Sequence, residues 1–488
     1  MKYLGIVSLG HDASVALVED GELLFAGHAE RYSRKKNDGS INEKLLNDCL
    51  SYGFPDKIIW YEKPWLKKTR QFFAGQSTKS ESIKDHLAKF HLDRVPYTTV
   101  SHHESHAAGS FFTSSFEDAS ILVCDAIGEW NCISIWKGEL NKIHQVFKEN
   151  YPNSLGLLYS AFTKRVGKKP NEEEYIMMGM AALGNPSRFY NDIKNDFIED
   201  IAAPSFKLKT NVHTGIDDWR PELTSEQDLY DIAAAMQKIT EDYLVETAKW
   251  IHKNLPSKNL MLSGGVALNC KANTEIAKLG LFDNIWIMPN PGDAGSAIGA
   301  IAAFTEERIF WDTPYLGYDI NKELNIKSAV ADLINGDIIG IANGRAEFGP
   351  RSLGNRSIIA DPRGAEVKDK VNMIKKREMF RPFAPVILEE FANEYFEMPV
   401  KSAPYMQFTA KCKRPDLFPA ICHFDNTSRV QTIIKEQNPT FHALLSEFYE
   451  ATGCPMLLNT SLNIKGEPLV NTWEDAERFQ QKYNVKVY

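Results

Sequence analysis

The segment His102-His103-Glu104-Ser105-His106 sets two imidazoles four residues apart, a spacing that projects both from one face of a helical turn. Rings held that way can take neighbouring positions on one divalent cation. Two aspartates elsewhere in the chain are placed to join them. Asp125 ends the short apolar run Ser120-Ile-Leu-Val-Cys124, which reads as a buried strand. Asp293 lies in Pro289-Asn-Pro-Gly-Asp-Ala-Gly295, a Gly/Pro turn between a strand and a helix. Such turns present side chains to sites. Two His and two Asp make a hard N/O set, suited to iron(II), manganese or zinc rather than to thiolate chemistry. A lone H-x-x-x-H is as readily a helix start with solvated histidines. The glycine loops nearby shift the balance towards a ligand site.

Ser263-Gly264-Gly265, after a strand and before a helix, allows close backbone approach and frees N–H groups to face phosphate or ribose. Gly292-Asp293-Ala294-Gly295 repeats the arrangement one strand later, and Gly10 and Gly128 sit at earlier strand ends. Together they suggest a nucleotide cleft. The spacing fits neither G-x-G-x-x-G nor G-x-x-x-x-G-K-[ST], which disfavours a dinucleotide fold and a P-loop. Further on, Lys375, Lys376, Arg377 and Arg381 cluster near Phe380 and Phe383, with Arg351, Arg356, Arg363, Arg429 and Lys465 in separate motifs. Arginines among glycines and aromatics suit a small phosphate-bearing substrate, although any one of them could equally belong to a solvated basic face. Arg351 and Arg429 escape that reading best, each in a polar turn beside an apolar run.

The elements that must position these groups alternate. A first strand, about Tyr3–Leu9, turns at Gly10-His11-Asp12, and a hairpin follows through Asp20-Gly21, a strong hairpin signal. A strand near Lys57–Trp60, then Ile121–Asp125, a turn at Ala126-Ile-Gly-Glu129 and a second hairpin from Cys132 repeat the pattern, which indicates a weak internal duplication. Leu229, Ile232, Met236, Ile239, Tyr243, Leu244, Ala248 and Ile251 mark a long helix. Strands at Asn259–Leu262 and Asn284–Met288 and a small-residue helix at Ala294–Phe304 complete an α/β core. The texture changes at residues 311–325, where a domain boundary is expected, and a second α/β segment opens with a strand at Ile338–Ala342. A chain of 488 residues with net charge −8 fits two or three soluble domains with no overall bias towards polyanions. Seven cysteines without a C-x-x-C pair argue against a disulfide scaffold and a thiolate zinc site. No apolar run reaches membrane-spanning length, and the N-terminus reads as a strand rather than a signal peptide. A cytoplasmic location is therefore expected.

Nine motifs in order make the chain resemble the O-carbamoyltransferase family, which includes nodulation-factor and aminoglycoside carbamoyltransferases: Gly10-His-Asp-Ala-Ser-Val-Ala-Leu17, Glu30-Arg-Tyr-Ser-Arg-Lys-Lys36, His102-His-Glu-Ser-His-Ala107, Ser263-Gly-Gly-Val-Ala-Leu-Asn269, Gly292-Asp-Ala-Gly295, Glu347-Phe-Gly-Pro-Arg-Ser-Leu-Gly-Asn-Arg-Ser357, Phe380-Arg-Pro-Phe-Ala-Pro385, Ser428-Arg-Val-Gln-Thr432 and Leu458-Asn-Thr-Ser-x-Asn463. The resemblance implies an actin/hexokinase-like N-terminal domain, similar to threonylcarbamoyl-transferring enzymes (1–325), and a YrdC-like α/β C-terminal domain (336–488). It implies two steps. Carbamoyl phosphate and ATP, with Mg2+, give carbamoyl-adenylate in the C-terminal domain, and an acceptor hydroxyl then attacks the adenylate at the metal-bearing N-terminal site. By motif, His102, His106, Asp125 and Asp293 match metal ligands, for iron(II) first and manganese or zinc next. His11 matches a general base, and Lys375, Arg429 and Ser461 match the carbamoyl-phosphate and adenylation site. Gly264, Gly265, Asn269 and Gly292 match the adenylate cradle, which Arg351 is expected to join.

Three departures stand out. The family's Asp-Gly-x-Gly turn reads Asp125-Ala126-Ile127-Gly128, Ile176 stands where lysine is common, and the chain ends at Tyr488, sooner than many relatives, so that a final helix is expected to be missing. The acceptor is expected to be the hydroxymethyl group of 5-hydroxymethylcytosine in DNA, as in phage relatives, which would place the protein in a host cytoplasm. Basic patches at residues 31–36, 67–70 and 164–169 would meet the phosphates. A sugar, aminoglycoside or other natural-product hydroxyl is the alternative acceptor, and a nucleotide-dependent switch without transfer is the alternative class. A homodimer is compatible with the pattern, and no membrane partner is expected.

Overall fold

The computed structural model describes residues 1–364 and 366–488. The chain divides into two compact units. The first comprises Met1–Leu9, Ala16–Glu22 and Phe54–Phe310, and the second Gly10–Val15, Leu23–Gly53 and Trp311–Tyr488.

Strands β1 (Lys2–Val7), β2 (Ser14–Glu19) and β3 (Glu22–His28) open the fold. Asp20 and Gly21 both take positive φ, 48° and 85°, as a tight hairpin turn requires. β4 (Lys57–Trp60) runs parallel to β1, and β5 (Tyr97–Thr99) parallel to β4. The sheet order is β3-β2-β1-β4-β5. After helix α1 (His102–Phe112) the plan starts again. β6 (Asp118–Gly128), β7 (Asn131–Glu139) and β8 (Lys142–Asn150) form an antiparallel meander. The long helix α2 (Glu226–Asn254) then leads to β9 (Asn259–Ser263), α3 (Cys270–Lys278) and β10 (Asn284–Trp286). β9 adds parallel to β6, and β10 parallel to β9.

The resulting order, β10-β9-β6-β7-β8, repeats the first sheet when read from its own first strand. The duplication legible in two hairpins thus extends to whole sheets, and the architecture is α/β. One expectation needs correction. The turn placed at Ala126–Glu129 is shorter and later: Ala126–Gly128 are strand, because β6 continues to Gly128 across a register shift between Cys124 and Gly128, and the chain turns at Glu129 and Trp130. Irregular pairing of this kind re-aims a side chain without ending a strand, and here the side chain is Asp125.

Helix α4 (Ser296–Thr305) closes the unit. Its small residues let it lie almost backbone to backbone on its neighbours. A Cβ at Gly299 would fall 2.0 Å from the Ser105 carbonyl oxygen, and one at Gly5 would fall 1.8 Å from that of Ala297. α4 follows directly on the turn that carries Asp293, so the same contact sets that turn against α1. Gly299→Val is expected to destabilise the unit by about 1–3 kcal/mol through overpacking. It should also lower bound metal, as read by urea denaturation and elemental analysis. Full stability would show that the close crossing is dispensable.

The second unit contains β11 (Tyr315–Ile320), β12 (Ile339–Ala342), β13 (Gly344–Glu347), β14 (Arg356–Ala360), α5 (Val367–Lys375), β15 (Ala384–Leu388), β16 (Phe396–Glu397), β17 (Thr409–Cys412), β18 (Thr427–Arg429), β19 (Gln431–Ile433), α6 (Pro439–Thr452), β20 (Met456–Ser461) and α7 (Trp473–Tyr483). A mixed sheet, β12-β14-β20-β15-β19, forms its centre, with β11-β13 and β16-β17-β18 as smaller sheets. The apolar strands Ile339–Ala342, Ala384–Leu388 and Met456–Leu458 pack with Phe441, Leu444 and Phe448 of α6 in the core. β11 lies within the segment expected to be a boundary. Among the described residues no helix is long and apolar enough to cross a membrane.

Candidate functional site

Ser101 and Glu104 form a capping box at the start of α1, which fixes where the helix begins. His102 is therefore the first helical residue and His106 lies one turn on, both buried. β6 delivers Asp125, and the turn after β10 delivers Asp293. The His102 and His106 Nε2 atoms are 3.1 Å apart. Asp125 Oδ2 is 3.3 Å from His102 Nε2, and Asp293 Oδ1 is 3.4 Å from both rings. The four ligand atoms all lie within 4.8 Å of one another.

Burial opposes a charged His102, but the Asp293 and Asp125 carboxylates outweigh it and raise its pKa well above the ordinary value. Burial, with the charge on His102, pushes the neighbouring His103 down to about 3. His103 instead meets Ser134 Oγ through Nδ1, at 2.7 Å. Ligand–ligand edges around a four- to six-coordinate ion are about 1.4–1.6 bond lengths, or roughly 3.0–3.4 Å for bonds near 2.1 Å. The four separations given above match, and the N2O2 donor set fits a first-row divalent ion.

The glycines of this unit act through close approach. Gly128 has the His102 ring where its Cβ would be, 2.2 Å from Cδ2. Gly264 has φ of 85°, and its Cβ would meet the Cys124 carbonyl oxygen at 2.3 Å. The Gly265 N–H donates to Asp125 Oδ1 at 3.0 Å, and Ser263 Oγ to the His106 carbonyl at 3.2 Å. The Ser-Gly-Gly loop is thereby tied to two of the four cluster residues. A Cβ on Gly292 would meet nothing within 4 Å, so its backbone is open to a ligand. Asn269 caps α3 and pairs with Gln237 through both ends of its amide, at 3.0 Å each. Gln237, a polar residue on the buried side of α2, was not singled out from the sequence, where it reads as one more helical position. Tyr61, whose ring centroid is 5.4 Å from that of His102, carries no sequence signal beyond its place after β4. Ile176 is fully buried, so the departure from lysine there is met by packing.

In the second unit, Lys375 at the end of α5 is buried and surrounded by acceptors. It donates to Ser461 Oγ at 3.1 Å, to the Asn463 carbonyl at 2.9 Å and Oδ1 at 3.0 Å, and to the Ser461 carbonyl. Burial, and then Arg377, Arg381 and Lys36, hold its pKa well below the usual lysine value. Asn463, the last residue of the Asn-Thr-Ser-x-Asn motif, is thus a partner as strong as Ser461. Arg429 ends β18, half-buried and opposite Thr409. Arg351 is half-buried in the loop after β13. His11 lies in this unit's Gly10–Val15 segment, 55% exposed, with Nδ1 3.1 Å from Asp12 Oδ2.

Much of the charge in the basic patches of the sequence is spent on partners within the chain. Arg31 is buried and donates to the carbonyls of Glu347 and Gly349, and Arg356 spends its guanidinium on carbonyls including Asn471 and Tyr318. Arg34 donates to the carbonyls of Leu469 and Pro468. Lys67 pairs with Glu62, Arg70 is buried, and Lys164 and Lys169 pair with Asp217 and Glu172. Charge reversal at Arg34, expected from sequence to probe DNA contact, should instead lower the melting temperature. The same change at Lys35, 76% exposed, should leave it within a degree or two. Thermal scans of both variants check this, and equal melting would return Arg34 to the surface.

Family models described as carbamoyltransferase N-terminus and carbamoyltransferase C-terminus match residues 67–302 and 330–488. An uncharacterised protein of Synechocystis sp. is 36% identical, covering 97% of this chain and 93% of its own. The nodulation protein NolNO of Sinorhizobium fredii is 32% identical, covering 96% and 76%. The 3'-hydroxymethylcephem-O-carbamoyltransferase of Streptomyces clavuligerus is 26% identical, covering 96% and 94%. Among solved structures, HypF of T. kodakarensis superposes with a TM-score of 0.36 at 12% identity, over 62% of this chain and 48% of that one.

Proposed function

The chain belongs to the carbamoyltransferase family, and on that premise we propose that it uses ATP and carbamoyl phosphate to make carbamoyl-adenylate and then carbamoylates a small-molecule hydroxyl. The observation that carries this reading is the convergence of His102, His106, Asp125 and Asp293 on one buried point, beside a loop of backbone fit for an adenylate. His102 and His106 with the two aspartates would hold the metal, iron(II) or else manganese or zinc. Bound there, it would supply Lewis acidity towards a phosphate or carbonyl oxygen.

The chain's own groups take the remaining roles. Residues 336–488 are read as the YrdC-like adenylate-forming domain. Lys375, oriented by Ser461 and Asn463, would place cationic charge against carbamoyl phosphate, together with Arg429. Arg351 would flank the nucleotide. Gly264, Gly265 and Gly292 would admit the adenylate to the backbone, with Asn269 holding the loop's helix in place. His11 would take the proton from the acceptor hydroxyl. Its exposure and its contact with Asp12 suit a group that must meet an incoming substrate.

The hydroxymethylcephem enzyme is named for a small hydroxymethyl acceptor, which supports the same class here. The DNA reading loses support, because Arg31 and Arg34 donate to backbone carbonyls of the chain itself. The test is pyrophosphate release from ATP dependent on carbamoyl phosphate, followed by mass spectrometry of a panel of alcohols and hydroxymethylated DNA for an added carbamoyl group. A carbamoylated small molecule with unmodified DNA is the expected result. Carbamoylated DNA would restore the nucleobase acceptor, and no pyrophosphate release would favour a binding or switch protein.

A further inference from the structure

Arg70 is 5% exposed. Its Nε and Nη1 are buried without any hydrogen-bond partner among the described residues. What it does touch is the Tyr151 ring, 5.6 Å away. A guanidinium offers five donors, and leaving those on the buried Nε and Nη1 unmatched is costly, so an acceptor is called for. The helix that carries it, Pro64–Phe73, holds Lys67, Lys68 and Arg70 and no acidic residue. The same helix exposes large rings: Trp65 is 63% exposed, Phe72 70% and Phe73 77%. Phe73 meets Trp130 at 6.2 Å, and Trp130 Nε1 donates to Thr69 Oγ1 at 3.3 Å.

This rim adjoins the four-residue cluster. Trp130 follows Gly128 and Glu129 in the β6–β7 turn. Gly128 lies against the His102 ring, and Glu129 accepts the Lys63 N–H at 2.6 Å, at the start of the aromatic helix. One turn of chain therefore joins the cluster to the aromatic helix that carries Arg70.

We propose that Arg70, Phe73 and Trp130 form an acceptor subsite for a ring-bearing oxyanion, a carboxylate or phosphate carried on the alcohol to be carbamoylated. The proposal rests on the carbamoyl-transfer reading above. Arg70 would take the oxyanion through paired N–H donors, and the rings would cover the face of the acceptor ring. Both would fix the hydroxyl's approach to the cluster.

The test titrates the full chain with phenyl phosphate and with benzoate, following tryptophan emission, and measures carbamoyl-phosphate-dependent pyrophosphate release in parallel. Saturable quenching is expected with at least one anion, none with benzyl alcohol, and little in Trp130→Phe. Which anion binds identifies the oxyanion. Arg70→Gln should weaken binding roughly 10- to 100-fold, Arg70→Lys less, and pyrophosphate release should be unchanged in both. If Arg70→Gln does not fold, Phe73→Ala, at an exposed position, should still weaken binding several-fold. Equal affinity in wild type and the folded variants would overturn the subsite. So would Arg70-dependent binding of AMP without binding of either aryl anion, which would assign the arginine to the nucleotide. Wild-type protein that binds the anion but releases no pyrophosphate would remove the carbamoyl-transfer reading and keep the subsite.

Discussion

His106→Ala is expected to strip the metal and abolish carbamoyl transfer while leaving pyrophosphate release intact. The ring supplies one of only two nitrogens in the cluster, and its Nε2 lies 3.1 Å from that of His102. Losing even an outer partner of a metal ligand costs about 10–100-fold in affinity, so losing the ligand should cost at least that. The vacated side would leave His102 facing the two carboxylates, a pairing that offsets one of the two negative charges without a metal. The fold should therefore survive, and the loss should be confined to the transfer step. Elemental analysis of the purified variant, together with both half-reactions, gives the result. Full metal occupancy would show that the histidine pair is structural.

Much of this cluster was legible in the sequence, for local reasons. The i, i+4 histidines need only a helix, and Ser101 with Glu104 shows where that helix starts. Asp293 needs only a glycine turn. The strand carrying Asp125 was legible too, but its irregular end was not. A register shift depends on how β6 meets β7, which nothing in Asp125-Ala-Ile-Gly-Glu129 states. The closeness of α1 to α4 was likewise hidden. Gly299 reads as a weak helix residue until Ser105, nearly two hundred positions away, is found where its Cβ would be. Composition was least informative for the basic patches. Arg31 and Arg34 read as a cationic surface, yet both donate to carbonyls more than three hundred residues further along the chain. Arginine is as able to satisfy buried carbonyls as to meet phosphate, and spacing alone does not separate the two. The lysine site shows the opposite case. Lys375 lies in a charged run that looks solvated, but the Asn-Thr-Ser-x-Asn motif that folds around it is itself distinctive.

Lys375→Met should eliminate carbamoyl-phosphate-dependent pyrophosphate release, whereas His11→Asn should retain it and slow transfer by roughly 10²–10⁴-fold, the usual worth of a general base. The two variants test the division of labour between half-reactions. Lys375 is held by four acceptors from Ser461 and Asn463, so its ammonium is fixed in place before any substrate arrives. Methionine matches its length and removes its charge. The stranded acceptors cost ~1–3 kcal/mol each where they stay buried, but the variant also sheds the cost of burying a cation, and these effects oppose one another. Ser461→Ala removes one of the acceptors and keeps the lysine, so it should slow adenylation without abolishing it. Graded loss across Ser461→Ala and Lys375→Met, at similar melting temperatures, would mark the lysine as acting on the substrate. If the His11 variant lost pyrophosphate release as well, the histidine would belong to adenylation, and the proton of the acceptor hydroxyl would have to leave by another group.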